Sequence, residues 1–145
     1  MNWRIHPEVI GWAPSAQERR TIEEAFPFPA RVEIWPRRLL GQRTGKIAGP
    51  YAFRAISRGD EALVFADETE TRASIAWLIA HELAHHELAR NPRVREFFVK
   101  ARPIGIDPAS DQFHEEDPEE RYADGRATAL FGTRYDRAWW RRHAG

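Results

Sequence analysis

The segment from Glu70 to Ala89 constrains this chain more than any other. Ile75, Ala76, Ile79, Ala80, Leu83 and Ala84 cover one broad side of a helix, and Trp77, Leu78 and Leu88 flank the rest. A helix this apolar must be largely buried. Yet it also carries His81, Glu82, His85 and His86. Imidazoles and a carboxylate inside an apolar core are costly unless they are paired or coordinated. The rest of the fold has to supply their partners.

The chain around this helix reads as a single α+β domain. Its 145 residues suffice for one core and not for two comfortable ones. Ser15-Ala16-Gln17-Glu18 is a capping box opening a short helix that ends before Pro27. Arg31-Val32-Glu33-Ile34-Trp35 alternates as a strand stopped by Pro36. Residues 37–50 contain Gly41, Gly45, Gly49 and Pro50 and read as a surface loop. Tyr51 to Ile56 and Ala62 to Ala66 then form a hairpin across Ser57-Arg58-Gly59-Asp60.

After the long helix, Asn91-Pro92 opens a shorter one to about Lys100. Residues 102–116, with Pro103, Gly105 and Pro108, read as loop. Asp117-Pro118-Glu119-Glu120 is a strong helix start, with Asp as N-cap, Pro at the first helical position and acids in the first turn. That helix runs to about Phe131 and is stopped by Gly132, and Tyr135 to His143 is expected to form a last helix bearing Trp139 and Trp140.

Composition narrows the chemistry. There is no cysteine, which excludes disulfides and thiolate metal sites, so any metal must be held by His, Asp or Glu. Formal net charge is zero, so no global field draws the chain to nucleic acid or an anionic membrane. No stretch is long enough to span a bilayer, and residues 1–7 lack the apolar core of a secretory signal. A cytoplasmic protein without membrane partners is the expectation.

Residues four apart on a helix lie about 40° apart around its axis. His81 and His85 therefore project toward one point, as two corners of a tetrahedral zinc site require. Glu82 lies about 100° from His81, where its carboxylate can reach a metal's water without displacing a ligand. His86, about 100° beyond His85, is expected to pack or hydrogen-bond elsewhere.

A catalytic zinc needs a third protein ligand. Leu88 and Asn91 stand where a metzincin continuation would place Gly and His. Glu120 is the better candidate, with Asp124 one turn further on as the acceptor for a ligand imidazole. His114 is the rival ligand. Asp117 and Glu119 fit the plainer role of acids at a helix N-terminus.

The two motifs, His81-Glu82-Leu83-Ala84-His85 and Glu120-Arg121-Tyr122-Ala123-Asp124, resemble those of gluzincin metallopeptidases. The resemblance is closest to the ImmA/IrrE-type group, with stand-alone minimal gluzincins an equally good comparison, and it covers roughly residues 60–131. It implies a zincin-like domain in which a small sheet of about three strands packs on the motif helix and on a second, Glu-bearing helix. His81, His85 and Glu120 would bind one zinc ion and Glu82 would be the catalytic base. The substrate would be a peptide or protein, in that group often a transcriptional repressor.

In such an enzyme zinc acidifies its water, and Glu82 takes the proton and passes it to the leaving amine. Tyr135, His114 and Arg126 are the candidates for stabilising the oxyanion. The strand Ala62 to Ala66 is a candidate edge for an extended peptide. Two rival expectations are a non-catalytic zinc protein that binds a partner, and nucleic-acid binding through Arg137, Trp139, Trp140, Arg141 and Arg142. Retention of Glu82 argues against the first, and the neutral net charge against the second.

Overall fold

The computed structural model describes residues 1–44, 55–108 and 110–132. The alternating segment forms the expected strand, β2 (Arg31–Pro36). The hairpin also forms, from β3 (Ala55–Arg58) and β4 (Glu61–Ala66), with Ile56 opposite Leu63. Gly59 takes a φ of +58° at its turn, the left-handed conformation that glycine adopts without strain. The expected residues 51–54 of the first hairpin strand lie outside the described residues.

The expectation of about three strands is corrected to four, because β1 (Asn2–Ile5) adds to β2 in parallel, with Asn2 opposite Arg31 and Ile5 opposite Ile34. Four residues of mixed polarity carry too little pattern to read as a strand alone; pairing with β2 defines it. The strand order is β1-β2-β4-β3, an open mixed sheet. A second correction follows from that order. Residues Glu61–Val64 of β4 pair with β2 on one side and β3 on the other, so this strand is interior and not an edge. Its unbroken apolar run, Ala62-Leu63-Val64-Phe65-Ala66, is what burial on both faces selects.

Helix α1 (Ala16–Ala25) connects β1 to β2 and carries the predicted box: Glu18 N donates to Ser15 Oγ and Ser15 N to Glu18 Oε1. The expected loop at 37–50 begins instead with a turn of 3-10 helix and α2 (Leu40–Thr44); residues 45–50 lie outside the described ones. Leu40 covers Leu63 and Phe65 on one face of the sheet. Glu33, 2% exposed, accepts from Arg43 Nη2 at 2.8 Å and Trp35 Nε1 at 3.0 Å.

The other face holds the main core. Val32, Ile34, Ala62, Val64 and Ala66 meet Ile75, Ile79 and Leu83 of α3 (Arg72–Ala89). Thr71 and Ser74 cap α3 reciprocally. Asn91 then caps α4 (Pro92–Lys100), as its sequence predicts. The loop expectation for 102–116 is corrected in its second half, where Ser110 caps α5 (Asp111–Glu116) and Phe113 is buried.

Asp117 and Pro118 open α6 (Pro118–Phe131) as expected, and Gly132 closes it at a φ of 62°. Ala123 and Ala127, one turn apart and fully buried, let α6 lie close against α3. Trp77 Nε1 donates to Thr128 Oγ1 across that contact at 3.2 Å. The expected last helix, with Trp139 and Trp140, lies outside the described residues. Among those described, no helix is long and apolar enough to cross a membrane.

Candidate metal centre

The contact of α3 with α6 places the two motifs face to face. His81 is 4% exposed, and its Nε2 lies 3.2 Å from His85 Nε2. Glu120 reaches both from α6, with Oε2 at 3.1 Å from His81 Nε2 and Oε1 at 3.3 Å from His85 Nε2. One ligand atom from each of His81, His85 and Glu120 lies within 4.8 Å of the others, so this group can hold a metal ion.

The outer faces of the imidazoles are occupied as well. Asp124 Oδ1 is 2.8 Å from His81 Nδ1, and Glu119 Oε2 is 3.3 Å from His85 Nδ1. A carboxylate beside Nδ1 favours the proton on that nitrogen and the Nε2 lone pair facing forward, although the close His81–Asp124 approach lacks hydrogen-bond geometry. Two such lone pairs and a carboxylate then converge at one buried point, and Glu120 Oε2 has no hydrogen-bond donor there. Only a proton or a cation relieves that convergence.

The protonation equilibria show the same tension. Burial opposes charge on both histidines, yet Asp124 and Glu120 outweigh it at His81, and Glu119 and Glu120 outweigh it strongly at His85. Both imidazoles are raised above their ordinary value, His85 well above it. Burial likewise opposes charge on Glu120, and the two histidines still hold its carboxyl far below the ordinary carboxylate range. A divalent cation could take the place of those protons, and a donor set of two imidazoles and one carboxylate could hold one.

Glu82 is 7% exposed, with Oε1 4.0 Å from His81 Nε2, on the flank of the convergence point. His86 points elsewhere and donates from Nε2 to the Glu61 carbonyl at 2.8 Å, tying α3 to the start of β4. His114 sits beyond Glu120: its Nδ1 is bound to the Ser110 carbonyl at 2.9 Å, and its Nε2 is 3.7 Å from Glu120 Oε2.

Arg126 is engaged away from this group. It donates to Glu87 Oε1 at 3.1 Å and Oε2 at 2.9 Å, and to the Ala25 carbonyl at 3.0 Å. The Tyr122 hydroxyl donates to the same Glu87. Tyr135 lies outside the described residues.

The residue that sequence reasoning underrated is Glu119. Its sequence position fits a plain acid at a helix N-terminus, yet it is only 9% exposed and lies against His85. The one sequence signal was its place beside Glu120, which does not separate a capping acid from a partner of the site.

Comparison of the chain with family models, with curated proteins and with solved structures returned no match.

Proposed function

We propose that this protein is a zinc-dependent peptidase of the gluzincin kind, with a zincin-like fold. The observation that carries the reading is the convergence of His81, His85 and Glu120 on one buried point with the Glu82 carboxylate beside it. Two imidazoles with one carboxylate suit zinc, whereas calcium and magnesium prefer oxygen ligands throughout. Zinc, when bound, supplies Lewis acidity toward water and a carbonyl oxygen.

The chain's own residues do the rest. Glu82 accepts a proton from the attacking water and returns it to the leaving amine. Asp124 fixes the ring of His81, so that its Nε2 stays aimed at the centre. Among the described residues, His114 is the oxyanion candidate beside the ligand carboxylate, with Nε2 3.7 Å from Glu120 Oε2. The substrate is a peptide or protein; a transcriptional repressor follows from the resemblance to the ImmA/IrrE-type group alone.

A second reading, a zinc-holding module that binds a partner without hydrolysing it, is favoured by one observation. Phe97 at 68% and Ile104 at 97% exposure leave apolar surface open on and beyond α4. Glu82→Gln decides between the two. It should keep zinc and fold yet abolish hydrolysis of an unfolded protein or peptide library, because an amide cannot take the water's proton. A zinc-loaded wild type that cleaves none of them supports the binding module instead.

A further inference from the structure

An acid that merely favours a helix N-terminus normally stays in water, and a glutamate is seldom buried unless it is paired. Glu119 is not placed that way. It is 9% exposed, and its Oε1 is buried without a hydrogen-bond partner. Its Oε2 lies 3.3 Å from His85 Nδ1 and 3.7 Å from Nη2 of the more exposed Arg102. Burying a carboxylate to that extent is costly unless its charge is used.

The use is visible in the symmetry of the centre. His81 has Asp124 behind it, and His85 has Glu119 behind it. Between the two anchors, the same helix supplies Glu120 on the forward side. Three carboxylates of α6, with Glu82 of α3 beside them, therefore surround two imidazoles. With neutral imidazoles, only the half-exposed Arg102 beside Glu119 offsets that negative charge, and a divalent cation at the focus would offset the rest.

We propose that Glu119 is a positioning residue for the metal centre, holding His85 in the tautomer and orientation that present Nε2, as Asp124 does for His81. This rests on the reading of His81, His85 and Glu120 as metal ligands. Through Arg102, Glu119 also ties the segment after α4 to the centre. Losing a partner behind a ligand histidine typically weakens metal affinity about 10- to 100-fold.

The test uses the full chain and zinc ion as the probe. Zinc affinity of wild type, Glu119→Ala and Glu119→Gln is measured by competition with a chelator, and the imidazole N–H signals of the zinc-loaded proteins are followed by NMR. Glu119→Ala should bind zinc about 10- to 100-fold more weakly and lose the slowly exchanging Nδ1–H of His85 while keeping that of His81. Glu119→Gln keeps an acceptor without the charge, so it should retain the His85 signal and lose only about threefold to tenfold in affinity. It also carries the test if the alanine variant does not fold. Both variants binding within about twofold of wild type, with the His85 signal unchanged, overturn the assignment of Glu119 alone. A wild type that binds no zinc overturns the metal centre, and this role with it.

Discussion

His81 and His85 meet through their Nε2 atoms, 3.2 Å apart, each with a carboxylate of α6 behind its other ring nitrogen. Two neutral imidazoles with bare Nε2 atoms at that separation would not be a stable pair. A proton or a cation at their common focus would make them one, and Glu120 completes the focus from the facing helix.

Zinc should therefore stabilise the fold. A ligand that binds only the native state adds about 2.7 kcal/mol at a hundredfold excess over its dissociation constant. Thermal unfolding in chelator and in excess zinc should differ by several degrees or more, and His81→Ala should abolish the difference. Equal midpoints for the wild type under both conditions would count against metal binding.

Glu120 and Asp124 should differ in kind. Glu120→Ala removes a donor atom and should weaken zinc binding severely. Asp124→Ala leaves all three donors but frees the ring of His81, and a loss of about 10- to 100-fold is expected. Competitive chelation separates them. If His114→Ala loses zinc while Glu120→Ala does not, His114 is the third ligand and the gluzincin reading fails.

The packing of α6 on α3 sets the position of Glu120, so a distant change should reach it. Ala127 is fully buried at that contact. Ala127→Leu should cost about 1–3 kcal/mol by overpacking and should weaken zinc binding as the helices part. Denaturant melts of the metal-free protein and zinc titrations of the same variant check both effects. Unchanged affinity would show that α6 adjusts without moving Glu120.

Glu33 gives a pH signature independent of the metal. Burial raises its pKa, but Arg43 and Trp35, bonded to it, bring it below its ordinary value near 4.5. A carboxylate depressed in the fold contributes stability above its unfolded pKa and loses it as pH falls through the folded one. Glu33→Gln should thus cost about 1–3 kcal/mol at neutral pH, and the gap to wild type should narrow below pH of about 4.5. Urea melts across pH 3–7 read this directly. A gap that widens toward acid would contradict it.

The parts of this molecule legible in the sequence are those whose signals are local. Ser15 with Glu18, Asn91 with Pro92, and Asp117 with Pro118 and Gly132 mark helix ends through bonds within a few residues. Helical spacing likewise suffices to bring His81 and His85 to one side of α3. The errors lie where distant pairing decides. β1 exists because β2 accepts it, and β4 is interior because β2 joins it across some thirty residues of chain. Glu119 shows the same limit at the site: its sequence neighbours give it a helix N-terminus, and only the approach of α3 gives it His85.

The proposed function requires zinc to be held by His81, His85 and Glu120. Elemental analysis of protein purified without added metal, then reloaded with zinc and desalted, tests that claim. The wild type should retain about one zinc ion per chain, and His81→Ala and His85→Ala should each retain essentially none. A wild type that keeps no zinc, or variants that keep the full complement, would contradict it.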